Sequence, residues 1–311
     1  MSLFDAYIFV DWSAANTVKP ERQSPDSVWV GEFVAELGLM KESYHRTRYS
    51  GFKYVEQFLQ AQVAKKRRVL VGFDFPYGYP TGFAKHLSDS HNFVGWKLIW
   101  SELSKRIKDS PENRSNRFLV GSEFNSILGG ERGGPFWGCP VGKENENLKC
   151  KSPRFPFVSK AGVEIERLRI VESRLPRTQE TWKLFGNGSV GSQALVGIPY
   201  ILKLRQHPDL EKFSHVWPFE TGFSNQLFAD MGPLVIHAEI WPGVVEERVR
   251  LLSDCDPKLI RDCAQVRAMC QWAYEYDKAG LLDSHFNIPS GLSEQQIKLC
   301  VEEEGWVLGA K

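Results

Sequence analysis

Two short apolar runs, each closed by an aspartate, constrain what this chain of 311 residues can fold into. Residues 6–10 read Ala-Tyr-Ile-Phe-Val and stop at Asp11; residues 69–73 read Val-Leu-Val-Gly-Phe and stop at Asp74. Short runs rich in strand formers, with no polar alternation, are strands covered on both faces. A carboxylate directly behind such a run stands at the strand's carboxyl end, where open α/β sheets bind their ligands. The sequence between the two runs indicates how they pair. Residues 27–34 and 42–49 predict two more strands on short connections, an antiparallel meander. Residues 54–63 then place Val55, Phe58, Leu59 and Val63 on one helical face. A helix leading into a fully apolar strand is a crossover, so the strand at 69–73 is expected parallel to the one that ends at Asp11.

Beyond Asp74, the segment Phe75-Pro76-Tyr77-Gly78-Tyr79-Pro80 must be a rigid loop, since two prolines and a glycine forbid regular structure. A helix is predicted over 93–107. Residues 109–192 read as irregular, glycine-rich and locally basic, an insertion that covers a site within one domain spanning 1–311. A helix at 193–205, strands at 215–218 and 234–240, and a helix at 256–276 complete the pattern. The expected class is α/β, a mixed sheet of an antiparallel meander plus parallel strands, flanked by helices and carrying a large irregular insertion.

Charge excludes one broad class of partner contact. With 39 basic and 38 acidic residues the formal net charge is +1, so any polyanion must be recognised locally and not by the whole surface. Hydrophobic residues at 42% and charged residues at 25% suit a folded chain with a substantial core. Cys139, Cys150, Cys255, Cys263, Cys270 and Cys300 form no close Cys-x-x-Cys pair and read as free thiols in a reducing compartment. The first residues lack a basic stretch followed by an apolar one, and no run is long enough to span a bilayer, so a cytoplasmic location away from membranes is expected.

The chemistry gathers on acidic residues. Asp11 and Asp74 on neighbouring strand ends can share an oxygen-loving cation, Mg²⁺ or Mn²⁺, and two such ions can stabilise the attacking and leaving oxygens of a phosphodiester. Two-ion chemistry needs three or four acidic groups. Glu239 is the next candidate, because it interrupts the apolar strand in Ala238-Glu239-Ile240-Trp241-Pro242, where a buried charge needs a partner. Asp262 on the late helix is the fourth, with Gln265 one turn along the same face. His237 shares a strand face with Glu239 and offers a transition-metal alternative. Glu220 is a further acid near the strand ends. The stretch Phe185-Gly186-Asn187-Gly188-Ser189-Val190-Gly191-Ser192 before a helix has the composition of a phosphate-cradling loop, without the Gly-Lys-Ser/Thr end of a P-loop. Lys149, Lys151, Arg154, Lys160, Arg167, Arg169, Arg174, Arg177 and Lys183, interspersed with Phe155, Phe157 and Trp182, read either as a groove for a phosphate backbone or as a solvated surface balanced by glutamates.

Phe9-Val10-Asp11, Gly72-Phe73-Asp74-Phe75-Pro76-Tyr77-Gly78, Ala238-Glu239-Ile240-Trp241-Pro242 and the Asp262 helix, in this order, resemble the family known as domain of unknown function 429, described as predicted ribonuclease H-like nucleases. The likeness runs from the first strand to the last major helix and leaves out much of the insertion. It implies a ribonuclease H-like core in which Asp11, Asp74 and Glu239 occupy the family's acidic positions. Many members carry an Asp-Ala pair in the late helix, where this chain offers Asp262 and Gln265. The expectation that follows is a Mg²⁺- or Mn²⁺-dependent phosphodiester hydrolase, a nuclease whose substrate is a nucleic acid or another phosphoester. The alternatives are a non-catalytic module that binds nucleic acid or nucleotide on the same core, and a nucleotide-dependent phosphotransferase.

Overall fold

The computed structural model describes residues 2–88, 94–129, 133–224 and 232–311. Its centre is a six-stranded mixed sheet in the order β3-β2-β1-β4-β8-β7. Strands β1 (Ala6–Asp11), β4 (Arg68–Phe73) and β8 (Leu234–Glu239) are buried along their whole length, as predominantly apolar strands covered on both faces are. β1 pairs antiparallel with β2 (Val28–Val34), which pairs antiparallel with β3 (Leu39–His45). The turn between β2 and β3 closes at Gly38, whose φ of 58° lies in the left-handed region. β3 begins earlier than its sequence suggests, and it alternates in exposure as an edge strand does.

The helix α1 (Arg48–Ala64) starts where the Thr47 hydroxyl accepts a hydrogen bond from the Ser50 amide at 3.1 Å. It makes the expected crossover: β4 lies parallel to β1, with Val10 opposite Phe73. β8 lies parallel to β4, with Phe73 opposite Glu239, and β7 (Ser214–Trp217) parallel to β8. The carboxyl ends of β1, β4, β8 and β7 therefore open on one edge.

Alternation along the strands divides the core in two. Ile8, Val10, Val71 and Phe73 face α1, α2 (Gly95–Arg106) and α5 (Val190–Arg205). Tyr7, Phe9, Leu70, Ile236 and Ala238 face α7 (Arg261–Lys278). That helix lies very close to β2, because a Cβ on Gly31 would stand 2.9 Å from the Val266 carbonyl oxygen. The sequence predicts one helix over 256–276; instead α6 (Glu246–Cys255) ends at Asp256, whose carboxylate accepts the Lys258 amide in a turn, and α7 starts at Arg261.

Residues 109–192 are less irregular than the sequence suggests. They contain α3 (Arg117–Gly129), a two-stranded pair β5 (Phe157–Val158) and β6 (Glu164–Ile165), and a short helix α4 (Ile170–Arg174). Phe124, Leu128, Phe136, Leu148 and Trp182 join the same hydrophobic cluster as β1 and β4. Within this segment the glycine-rich stretch Gly129-Gly130-Glu131-Arg132-Gly133-Gly134-Pro135 falls partly on residues 130–132, outside the described residues. Cys139 and Cys150, eleven positions apart, meet with their Sγ atoms 3.4 Å from each other and unbonded. After α8 (Glu294–Leu299) the chain returns to the sheet edge, where the Leu308 amide donates to the Glu239 carbonyl at 2.9 Å. Among the described residues no helix is long and apolar enough to cross a membrane.

Candidate functional site

Asp11 and Asp74 are in register at the ends of β1 and β4, since the Asp74 amide donates to the Val10 carbonyl at 3.1 Å. Their side chains leave the same face of the sheet from adjacent parallel strands, which sets the two carboxyl groups side by side. Burial, then the facing Asp74 charge, pushes Asp11 well above the usual carboxylate range. Burial raises Asp74 to about 8, against the opposing pull of the Trp12 amide that donates to its Oδ1 at 2.7 Å. Two neighbouring acids each oppose the other's ionisation, and a cation between them would relieve that repulsion.

Asp262 comes to the same place from the first turn of α7, and its charge raises both Asp11 and Asp74. Its Oδ2 accepts the Asp26 amide at 2.8 Å, which ties the loop before β2 to the helix. Burial lifts Asp262 above its ordinary value, the Asp26 amide working against it. Gln265 lines the same cleft one turn along, as its spacing predicts.

Glu239 does not join them. Alternation decides this: Glu239 is level with Phe73, one position behind Asp74, so its side chain leaves the opposite face of the sheet. There its Oε1 and Oε2 accept from Arg169 Nη2 at 2.6 Å and Nη1 at 2.8 Å, and Oε2 also accepts the Tyr77 amide at 2.9 Å. Arg169 further binds Glu172 Oε1 at 2.9 Å and the Glu304 carbonyl at 2.8 Å. Burial works against this cation, but Glu172 and Glu239 hold Arg169 above the usual guanidinium range. His237, on the same face, meets Ser214 Oγ at 3.2 Å, and burial lowers it to about 3, so it is neutral. Glu220 is held by Arg205 and caps the turn after β7.

Asp11, Asp26 and Asp262 line a cleft of about 610 Å³, within the range of small-ligand sites, and Asp74 stands beside Asp11 outside that lining. One wall is the loop after β1, residues 12–15, together with Asp26 and the start of α7. The other is the glycine-rich 185–189 loop and the amino end of α5. Buried Arg48 fixes the first wall: it donates to the carbonyls of Ser13 at 3.1 Å and Ala15 at 2.6 Å while paired with Asp109 at 2.6 Å. The side chain of Gln193, on α5, donates to the Trp12 carbonyl and joins the two walls. Cations in the lining are Lys19, Arg117 and Arg261, the last shared with Glu246. The basic run of the sequence does not supply them: Arg167 is paired with Glu180, Arg169 is buried beneath the sheet edge, and Lys149, Lys151, Arg154, Lys160 and Arg177 are exposed outside the cleft lining.

An all-oxygen donor pair whose ionisation burial opposes suits a hard divalent cation, and Mg²⁺ needs only one or two carboxylates because it keeps several waters. Asp11 and Asp74 fit that role as direct ligands, with Asp262 contributing charge. Among the described residues no set of three or more acidic, His or Cys side chains is already arranged around one point. Compared with known protein families, curated proteins and solved structures, the chain matches none.

Proposed function

We propose that this chain is a ribonuclease H-like, Mg²⁺- or Mn²⁺-dependent phosphodiester hydrolase of the kind its motifs resemble, with Asp11 and Asp74 as the cation ligands. The observation that carries the reading is the placement of Asp11 and Asp74 in register at the carboxyl ends of adjacent parallel strands, with Asp11 and Asp262 lining one cleft. The sheet order β3-β2-β1-β4, with an antiparallel meander and a parallel fourth strand, supports the ribonuclease H-like assignment. When bound, the cation supplies Lewis-acid stabilisation of charge developing on phosphoryl oxygens. The chain's own part is to present the Asp11 and Asp74 carboxylates, hold Asp74 through the Trp12 amide, and keep the cleft walls in place through Arg48 and Gln193.

A second reading draws on Glu239. With that acid engaged by Arg169, the fourfold acidic set expected from the motifs is reduced, which favours a binding module that takes a nucleotide or nucleic acid without cleaving it. A calorimetric titration with Mn²⁺ on wild type and Asp74→Asn, followed by incubation with single- and double-stranded oligonucleotides, separates the two. Micromolar to millimolar binding that disappears in the variant, with cleavage by wild type alone, is the expected result. Metal binding without cleavage favours the binding module, and no metal binding even with oligonucleotide present overturns the hydrolase.

A further inference from the structure

Residues 137–150 fold back on themselves within the insertion. The Gly138 amide donates to the Lys149 carbonyl at 2.8 Å and the Cys150 amide to Glu144 Oε1 at 2.8 Å, so both ends of the loop are pinned. Between them the Lys143 amide donates to the Pro140 carbonyl at 2.9 Å in a turn that leaves Val141 exposed. The fold brings two sulfurs into contact: Cys150 Sγ lies 3.4 Å from Cys139 Sγ and 3.3 Å from the Cys139 carbonyl oxygen. The sulfurs need to close by only about 1.4 Å to reach the roughly 2.0 Å of a disulfide bond.

The two thiols differ in access. Cys139 is 3% exposed, in the cluster that holds Phe136, Leu148, Trp182 and Leu184, whereas Cys150 is half-buried at its margin. A reagent in solution therefore meets Cys150 first. Burial, then the Cys150 thiol beside it, pushes Cys139 up to about 12, so Cys139 is the slower of the two to ionise. Part of that opposition disappears once Cys150 carries a neutral mixed disulfide. A reachable thiol backed by a second sulfur in contact is the arrangement of an attacking and a resolving cysteine.

We propose that Cys139 and Cys150 are a thiol-modification site, a dithiol that a low-molecular-weight disulfide oxidises to an intramolecular disulfide. The Cys150 thiolate, its proton released to water, attacks one sulfur of the small disulfide, breaks its S–S bond and expels a small thiolate. Cys139, its proton likewise released, then attacks Cys150 Sγ, which closes the protein disulfide and expels the second small thiolate. The two small thiolates take up the two protons, so two protein thiols are oxidised and one small disulfide is reduced. The bond fixes a layer behind the cleft. The Trp137 amide donates to the Trp182 carbonyl at 3.0 Å and the Leu184 amide to the Trp137 carbonyl at 2.8 Å, while a Cβ on Gly138 would stand 3.0 Å from the Phe185 amide nitrogen. Leu184 and Phe185 line the cleft, so the disulfide staples the segment against which that wall rests. The site stands independently of the hydrolase reading.

The test treats the reduced full chain with oxidised glutathione, quenches with acid, alkylates the remaining thiols in denaturant and maps the peptides by mass spectrometry. In wild type, Cys139 and Cys150 should both escape alkylation and appear as one linked peptide pair within a monomer, while exposed Cys255 reports that the reagent is active. Cys139→Ser should trap glutathione on Cys150, and Cys150→Ser should leave Cys139 free. Persistent glutathione on Cys150 of wild type, a link between two copies, or full alkylation of both cysteines overturns the proposal. The wild-type map decides it even where a serine variant does not fold. The staple has its own readout: the urea midpoint of oxidised wild type should lie above that of the reduced chain and return with dithiothreitol. An unchanged or lower midpoint overturns the staple.

Discussion

Asp11 with Asp74 and Glu239 with Arg169 occupy the same edge of the same sheet, one strand position apart, and they solve the problem of buried charge in opposite ways. Glu239 is 3% exposed and fully partnered by a guanidinium, a backbone amide and the neighbouring ion pair of Glu172. Asp11 and Asp74 have no arginine or lysine partner among the described residues, and burial raises both above the usual carboxylate range instead. A buried acid whose partner is built into the fold is structural, whereas acids whose ionisation the fold opposes are candidates for a functional role. The period of two along a strand creates the difference, because one residue of register separates the two faces.

The largest effect is expected where the internal cation is removed. Arg169→Met strands Glu172 and Glu239 in the interior, and breaking such a buried cluster costs about 3–5 kcal/mol. Urea unfolding should show the loss, and the double change Arg169→Met with Glu239→Gln should recover part of it. A cost under about 1 kcal/mol, the scale of exposed pairs, would mean that the cluster is solvated.

Asp74→Asn should act in the other direction on stability. Burial raises Asp74 from 3.8 to about 8, so its protonated form favours the fold. Its contribution is complete below about pH 4 and is lost as pH rises through about 8, at up to about 1.4 kcal/mol per pH unit for one proton. Asparagine cannot ionise and can still accept the Trp12 amide. The variant should therefore match wild type below pH 4, exceed it increasingly toward pH 8 in the absence of metal, and lose all turnover. Denaturant midpoints across this pH range check it, and a variant less stable than wild type at pH 8 would place Asp74 with Glu239 as a structural acceptor.

Glu239→Gln sharpens the comparison from the other side. It leaves Arg169 short of one carboxylate and should cost about 1–3 kcal/mol, the penalty for an unmet buried charge-assisted bond. Mn²⁺ affinity, measured in the same preparation, should not change. Loss of metal binding by a folded Glu239→Gln would bring Glu239 into the ligand set that its motif implies.

Much of this arrangement is legible in the residues alone. The strands ending at Asp11, Asp74 and Glu239, the crossover helix and the antiparallel pair all follow from apolar runs and their spacing. The face taken by Glu239 does not, since alternation relates His237 to Glu239 but says nothing of either relative to Asp74 until β8 is registered on β4. Arg169, read as one of a surface run of basic residues, is recognisable as a buried partner only once the chain folds back beneath the sheet edge. Arg117 escapes for a related reason: the segment Arg117-Phe118-Leu119-Val120-Gly121-Ser122-Glu123 has no clean polar face and two of its helical sides are covered, so a periodicity search passes over α3. Asp262 is found by its position near the start of a helix, although that start lies five residues later than the pattern suggests.

Asp262→Asn carries the smallest effect and the finest distinction. The amide can still accept from Asp26, so the loop stays in place and stability should hold. What disappears is a negative charge that raises both Asp11 and Asp74. Two consequences for Mn²⁺ oppose each other: the cation loses an attraction worth less than about 1 kcal/mol, while the aspartate pair gives up its proton at lower pH and competes less with the metal. Above the titration of the pair only the first operates, and the variant should bind a few-fold more weakly. As pH falls into the range where wild type is protonated, the second offsets the first and the two affinities should converge. A ratio that stays large and constant across pH would instead make Asp262 a direct ligand, joining it to Asp11 and Asp74 as a third coordinating carboxylate, and the cation would then be held from both the sheet and α7.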